Sequence, residues 1–132
     1  MKETNTLYEL LRSEEFRRRP AMFIGKLSIL QLASYINGYR KGLSMHSIIE
    51  NNSFDETAFS DLVAKYYDRP VPAQAGWALT IWAENYADET QSFMMFFLLF
   101  DELIGEVKEH SFYYNLSLLY QDRLKQEEII FD

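Results

Sequence analysis

The chain contains no cysteine, which removes disulfides, thiolate nucleophiles and Cys-bearing zinc sites from consideration. Histidine is nearly as scarce, with two in the whole chain. His46 falls in a connection after the second expected helix, and His110 at the end of the longest one. Glu106 and His110 stand one helical turn apart, but a catalytic zinc takes about three protein ligands. A histidine at a helix C-terminus is favoured by the dipole without any metal. Neither a metal nor a cofactor is therefore expected. Long apolar runs are also missing. The longest, Phe93 to Phe100, stops at Asp101-Glu102, whereas a membrane helix needs about 20 apolar residues. The first residues, Met1-Lys2-Glu3-Thr4-Asn5, lack the apolar core and cleavage site of a signal peptide. A cytoplasmic location is the expectation. No Gly-x-Ser-x-Gly elbow, phosphate loop or dinucleotide fingerprint occurs, so no enzyme is expected.

What is present describes an ordinary folded chain. It has 132 residues, 48% hydrophobic and 25% charged, enough for one domain that buries about two thirds of its unfolded surface. No repeat, linker or low-complexity tract divides it, so residues 1–132 read as a single α-helical domain. The net charge is −7, and its distribution is uneven. Residues 1–43 carry eight Lys/Arg against four Asp/Glu, net +4; the remainder carries five against sixteen, net −11. An acidic majority disfavours nucleic acid, which demands neutralisation of phosphates. It suits a basic protein partner drawn in by long-range attraction.

Proline and glycine are few, three and five, and they punctuate the helices. A first helix is expected from Thr4 or Asn5 to just before Pro20, with Leu7, Leu10 and Leu11 as its stripe. Ser28 is placed to cap a second, reaching Leu43. A third begins near Asp55, carries Phe59, Leu62, Val63 and Tyr66, and ends at Pro70 and Pro72. Segment 77–86 admits two periods. Trp77, Leu79 and Ile81 alternate as in a strand, yet Trp77, Ile81 and Trp82 share a helical face, and helix is the reading adopted. Asp88, three residues before Gln91, resembles the start of a capping box. It opens a helix from Glu89 to about Glu109 whose first half is apolar all round and therefore enclosed. A last helix over Leu116 to Gln126 and an apolar tail at Ile129 to Phe131 complete an all-α bundle of about six helices around this central one. No two strands remain to pair.

The stretch Arg19-Pro20-Ala21-Met22-Phe23-Ile24-Gly25 reads as a fixed turn. Pro20 locks its own φ and pushes Arg19 out of the helical region, while Gly25 takes positive φ at no steric cost. Three large apolar residues in a connection imply that it is buried against the body. The preceding Arg17-Arg18-Arg19 is the one basic cluster. It reads as a helix C-terminus, with Arg19 free to donate to carbonyls in the turn, rather than as a nucleic-acid contact.

Taken in order, Arg-Pro-x-Met-Phe-Ile-Gly, Tyr35-Ile36-Asn37-Gly38-Tyr39, Gly76-Trp77-Ala78 and Phe93-x-x-Phe96-Phe97-x-Leu99-x-Asp101-Glu102 resemble a group of small bacterial proteins. These are read as immunity proteins of polymorphic-toxin and contact-dependent growth inhibition systems. The resemblance spans residues 16 to 104; Ala21 and Phe23 stand where many relatives have Gly and Tyr. It implies a binder that neutralises a cognate toxin domain, often a nuclease, by occluding its active site. The alternative is a regulatory or scaffold interaction module with no toxin partner. Partner contact is expected on two acidic and aromatic patches. The first is Asp101, Glu102, Glu106 and Glu109 with Tyr113 or Tyr114, the glutamates sharing one helical face. The second is Glu84, Asp88 and Glu89 with Tyr86, at the break between two helices. Tyrosine is the usual anchor of such surfaces.

Overall fold

Caps written into the sequence set most of the helix starts in the computed structural model, which describes residues 3–4, 6–50, 54–74 and 76–105. The side chain of Ser28 accepts from the Gln31 amide and starts α4 (Ile29–Met45). Asp55 does the same through Ala58 for α5 (Glu56–Tyr67), and Asp88 through Gln91 for α7 (Glu89–Leu103). Each satisfies a backbone donor that the first turn leaves without an intrahelical partner. Segment 77–86 resolves as helix, α6 (Gly76–Glu84), with Trp77, Ala78 and Ile81 buried and Leu79 half-buried. That spacing of one and four residues is helical. The fold is all-α, with seven helices among the described residues.

Three expectations for the elements need correction. The first helix is not continuous. It divides into α1 (Thr6–Arg12) and α2 (Glu14–Arg18), and the stretch after it, read as a turn, holds a short helix of its own, α3 (Pro20–Ile24). Ser13 interrupts it by adopting extended backbone and capping α2 through the Phe16 amide, the use to which serine is best suited. Second, α7 ends at Leu103, with Gly105 at φ +74 just beyond, not near Glu109; a left-handed glycine there is a common helix stop. Third, a strand pair does exist. Glu3–Thr4 (β1) and Ile49–Glu50 (β2) pair in parallel, Glu3 with Ile49 and Thr4 with Glu50. The last expected helix and the apolar tail, Leu116 to Phe131, lie outside the described residues.

The core forms around α7, which packs against α4, α5 and α6. From Ser92 to Phe97 every residue of α7 is buried, as are Leu99 to Asp101, so its first half is enclosed as the apolar run predicts. Phe96 is the hub. Its ring lies 5.2 Å from those of Phe59, Trp77 and Phe97, and 6.2–6.3 Å from Phe100 and Phe54. Edge-on and offset pairs of this kind add to the stabilisation that burial alone supplies. No helix among the described residues is long and apolar enough to cross a membrane.

Candidate partner-binding surface

Helical periodicity governs the short α3. Phe16, Pro20 and Ile24 recur every four residues and are all buried, so they form one inward face continuing from α2. Met22 and Phe23 are turned outward by the same geometry, 74% and 45% exposed. This corrects the expectation that they are buried in the turn. Gly25 behaves as expected: it closes α3 at φ +88, its amide bonding Ala21 O at 2.8 Å. Proline at the first position and glycine just past the last marks a short helix, and that signal was present to be read.

The arginine cluster divides in the same way. Arg17 turns in. Its Nη1 and Nη2 donate to the two oxygens of Asp101 at 2.8 and 2.6 Å, and Nε donates to Leu11 O at 2.9 Å. The guanidinium also lies 4.9 Å from the Phe97 ring centroid. Both charged side chains are about nine-tenths buried, and the bidentate fork satisfies them together. It is Arg17, not Arg19, that reaches a backbone carbonyl; Arg19 extends in solvent with Nη1 4.0 Å from Met22 Sδ.

This pairing removes Asp101 from the first acidic patch. Asp101 is a buried partner of α2 rather than a surface carboxylate, because α7 is enclosed through that position. Glu102 is exposed on the last turn. Since α7 stops at Leu103, it does not carry Glu102, Glu106 and Glu109 along one face. Glu106, Glu109, Tyr113 and Tyr114 lie outside the described residues.

The second patch is a corner, and its residues do different jobs. Asp88 Oδ1 accepts from the Gln91 amide at 2.8 Å, capping α7. Glu89 crosses to another element, Oε2 accepting from the Ile29 amide at 2.8 Å at the start of α4. Both carboxylates thus satisfy helix N-termini, where negative charge is favoured. Glu84 pairs with Arg69 at 3.0 Å, with the arginine 71% exposed, so the link contributes little to stability. Tyr86 alone is given wholly to solvent, 95% exposed.

Backbone conformation makes that exposure more telling. Tyr86 and Ala87 sit in succession at φ +55 and +64, a region costly for residues with a Cβ. The turn is held by Tyr86 N to Ala83 O at 3.1 Å and Ala87 N to Trp82 O at 2.9 Å. Next to it, Asn85 Nδ2 donates to Ile81 O at 2.7 Å and to the Tyr67 hydroxyl at 3.1 Å. This ties the end of α6 to that of α5, where Tyr66 packs edge-on against Tyr67 at 4.8 Å and is 55% exposed. Burial raises the Tyr67 pKa above the usual phenol value; the Asn85 bond opposes that, and Tyr66 and Glu84 nearby add to it. The ends of α5 and α6 are thus joined through Tyr67 and Asn85, 18 positions apart, with Tyr66, Asp68 and Tyr86 exposed and Glu84 paired with Arg69, an arrangement with no local signature.

A second feature escaped the sequence reading. Asp55, Glu56 and Asp61 line an open groove of about 410 Å³ with Thr57, Ser60 and Trp77. Arg40 lies in it and bonds Glu56 at 2.9 Å. Among the described residues no cluster of His, Asp or Glu is arranged to hold a metal ion. The groove is a shallow, net-acidic depression at the N-terminal ends of α5 and α6, opposite the tyrosine corner.

Compared with protein-family models, with curated proteins and with solved structures, the chain matches none.

Proposed function

We propose that this chain is an immunity-type protein that binds a basic toxin domain, nuclease-like in its charge, and neutralises it by covering its active site. The observation that carries the reading is Tyr86, 95% exposed and held at positive φ in the part of the chain with net charge −11. Strain held in an exposed aromatic corner is a mark of functional constraint. A rigid tyrosine with few rotatable bonds is an efficient interface anchor. At the neighbouring end of α5, Tyr66 and Asp68 add aromatic area and negative charge, while Glu84 is paired with Arg69 and the net-acidic groove lies at the opposite end of that helix. Affinity, not turnover, performs the work, and the family resemblance of residues 16 to 104 points the same way.

The test begins with the gene immediately upstream. Its C-terminal domain, produced with and without this chain, is assayed for toxicity and for binding. Co-expression should rescue growth, and Tyr86→Ser should weaken binding about 30-fold or more, the effect of losing an interface hot spot. Glu84→Lys should slow association with a strong salt dependence. Glu89→Lys is unsuitable as a probe of binding, because it removes the acceptor for the Ile29 amide at the start of α4. If the complex forms and Tyr86→Ser leaves it unchanged, this corner is not the interface; if no rescue or binding occurs, the immunity reading fails as a whole.

A further inference from the structure

Burial divides α4 in two. Its fully buried residues, Ile29, Leu32 and Ile36, all lie in the first half, and from Asn37 to Met45 none is buried. The second half is held by half-buried Tyr39 against the core and by Arg40 on Glu56 at 2.9 Å. The side chains of that pair are 41% and 40% exposed, so it contributes little to stability. The same half carries both glycines of the helix, Gly38 and Gly42, and glycine is among the poorest helix formers. A Cβ built at either meets nothing within 4 Å, so no close packing offsets that weakness. Few buried contacts and poor propensity together mark a segment that opens locally, without global unfolding.

The boundary between the halves falls on Asn37-Gly38, both exposed. An asparagine followed by glycine carries its own electrophile and nucleophile. The Gly38 nitrogen attacks Asn37 Cγ, with no side chain on Gly38 to crowd the approach. The new N–Cγ bond closes a five-membered succinimide, and the side-chain nitrogen leaves as ammonia with the proton lost from the Gly38 amide. Water then adds to one of the two ring carbonyls and breaks its bond to the Gly38 nitrogen. Opening at Cγ gives aspartate; opening at the main-chain carbonyl gives isoaspartate. A closed helix forbids the first step. Inside a helix each amide donates to the carbonyl four residues back, here that of Ser34, and a helical ψ of about −42° must rotate before the ring can close.

We propose that Asn37 is a spontaneous modification site of this protein, admitted to deamidation by local opening of the second half of α4, with water as the only co-reactant. The two products differ in consequence. Aspartate stands four residues before exposed Lys41, a favourable helical pair. Isoaspartate adds a carbon to the main chain and interrupts the hydrogen-bond ladder, so the second half of α4 no longer closes. This inference concerns α4 alone and is independent of the toxin-binding reading.

The full chain is incubated folded, in urea below its unfolding transition, and fully unfolded. Residue 37 is followed by peptide mapping that resolves asparagine, aspartate and isoaspartate. Conversion in the folded chain should run about 10- to 1,000-fold slower than in the unfolded chain, as a local opening of a few kcal/mol or less dictates. It should not quicken in low urea, because a local opening exposes little new surface. Gly42→Ala leaves the reacting pair intact and strengthens the helix, so conversion should slow about five-fold. Amides from Tyr39 to Ser44 should exchange faster than those from Leu32 to Ile36. Equal rates in folded and unfolded chain, or conversion below the stated range, overturns the inference. So does a rate that climbs with urea as global unfolding does, or one that Gly42→Ala leaves unchanged.

Discussion

Two corners of this molecule turn the chain through left-handed backbone and leave a large side chain in solvent, and they do so by different means. At the end of α3 the left-handed position is Gly25, φ +88, and the exposed groups beside it are Met22 and Phe23, in a depression shared with Glu15, Arg18 and Arg19. Between α6 and α7 the positions are Tyr86 and Ala87, φ +55 and +64, among acidic neighbours. Glycine adopts that region freely, so the first corner holds its shape without strain. Tyrosine and alanine do not, so the second persists only because Asn85, Tyr67 and the α7 cap surround it. The contrast separates a corner that local chemistry specifies from one that neighbouring helices impose.

The largest perturbation strikes both corners at once. Phe96→Ala removes the hub ring against which Phe54, Phe59, Trp77, Phe97 and Phe100 pack. It should cost about 3–5 kcal/mol in denaturant unfolding. A loss confined to one corner, seen as amide exchange that spares the other, would show that they belong to separate cooperative units.

Arg17→Met acts on one side. It leaves Asp101 buried without its partner, which should cost roughly 3 kcal/mol, with exchange protection lost first in α2 and α3. Arg17→Met/Asp101→Leu should recover most of that loss. Failure of the double variant to recover would mean that the pair's hydrogen bond to Leu11 O, not the orphaned charge, dominates.

Smaller still is the cost of replacing the glycine. Nothing lies within 4 Å of a Cβ built at Gly25, so Gly25→Val tests backbone strain alone, and about 1–3 kcal/mol should be lost. The mirror experiment changes sign. Tyr86→Gly relieves strain in the other corner and should raise stability by about 0.5–1 kcal/mol, while removing the proposed anchor. A loss of stability there would assign Tyr86 to packing and end its role in the comparison.

The smallest effect is alkaline. Because the folded Tyr67 has a raised pKa, mainly through burial, the native state favours its neutral phenol. That contribution is fully present below the unfolded value of about 10 and is lost as pH rises through the folded value. Tyr67→Phe should flatten this alkaline decline, read by thermal unfolding above pH 9.

The elements most legible in the sequence were those with local chemistry: Ser28, Asp55 and Asp88 before apolar stripes, and the Phe93–Phe100 run that demanded enclosure. Ser13 shows where such reading slips, because a serine within an apolar stripe looks like a tolerated helix residue until its side chain caps the next turn. Met22 and Phe23 show another limit. Hydrophobicity alone suggested burial, whereas the four-residue repeat of Phe16, Pro20 and Ile24 sent them outward. Asp101 shows a third. Its charge reads as surface, and its partner lies 84 positions away on α2.

Backbone preferences and apolar periodicity act within a few residues, and through them the amino-acid order alone decided that this chain is helical, where most helices begin, and that α7 lies inside. Burial of a charge, the fate of Arg17 against Arg18 and Arg19, the strain at Tyr86 and the meeting of α5 with α6 depend on groups distant in the chain. Each requires a desolvated partner or a packed neighbour to offset its cost, and only the assembled helices bring those within reach.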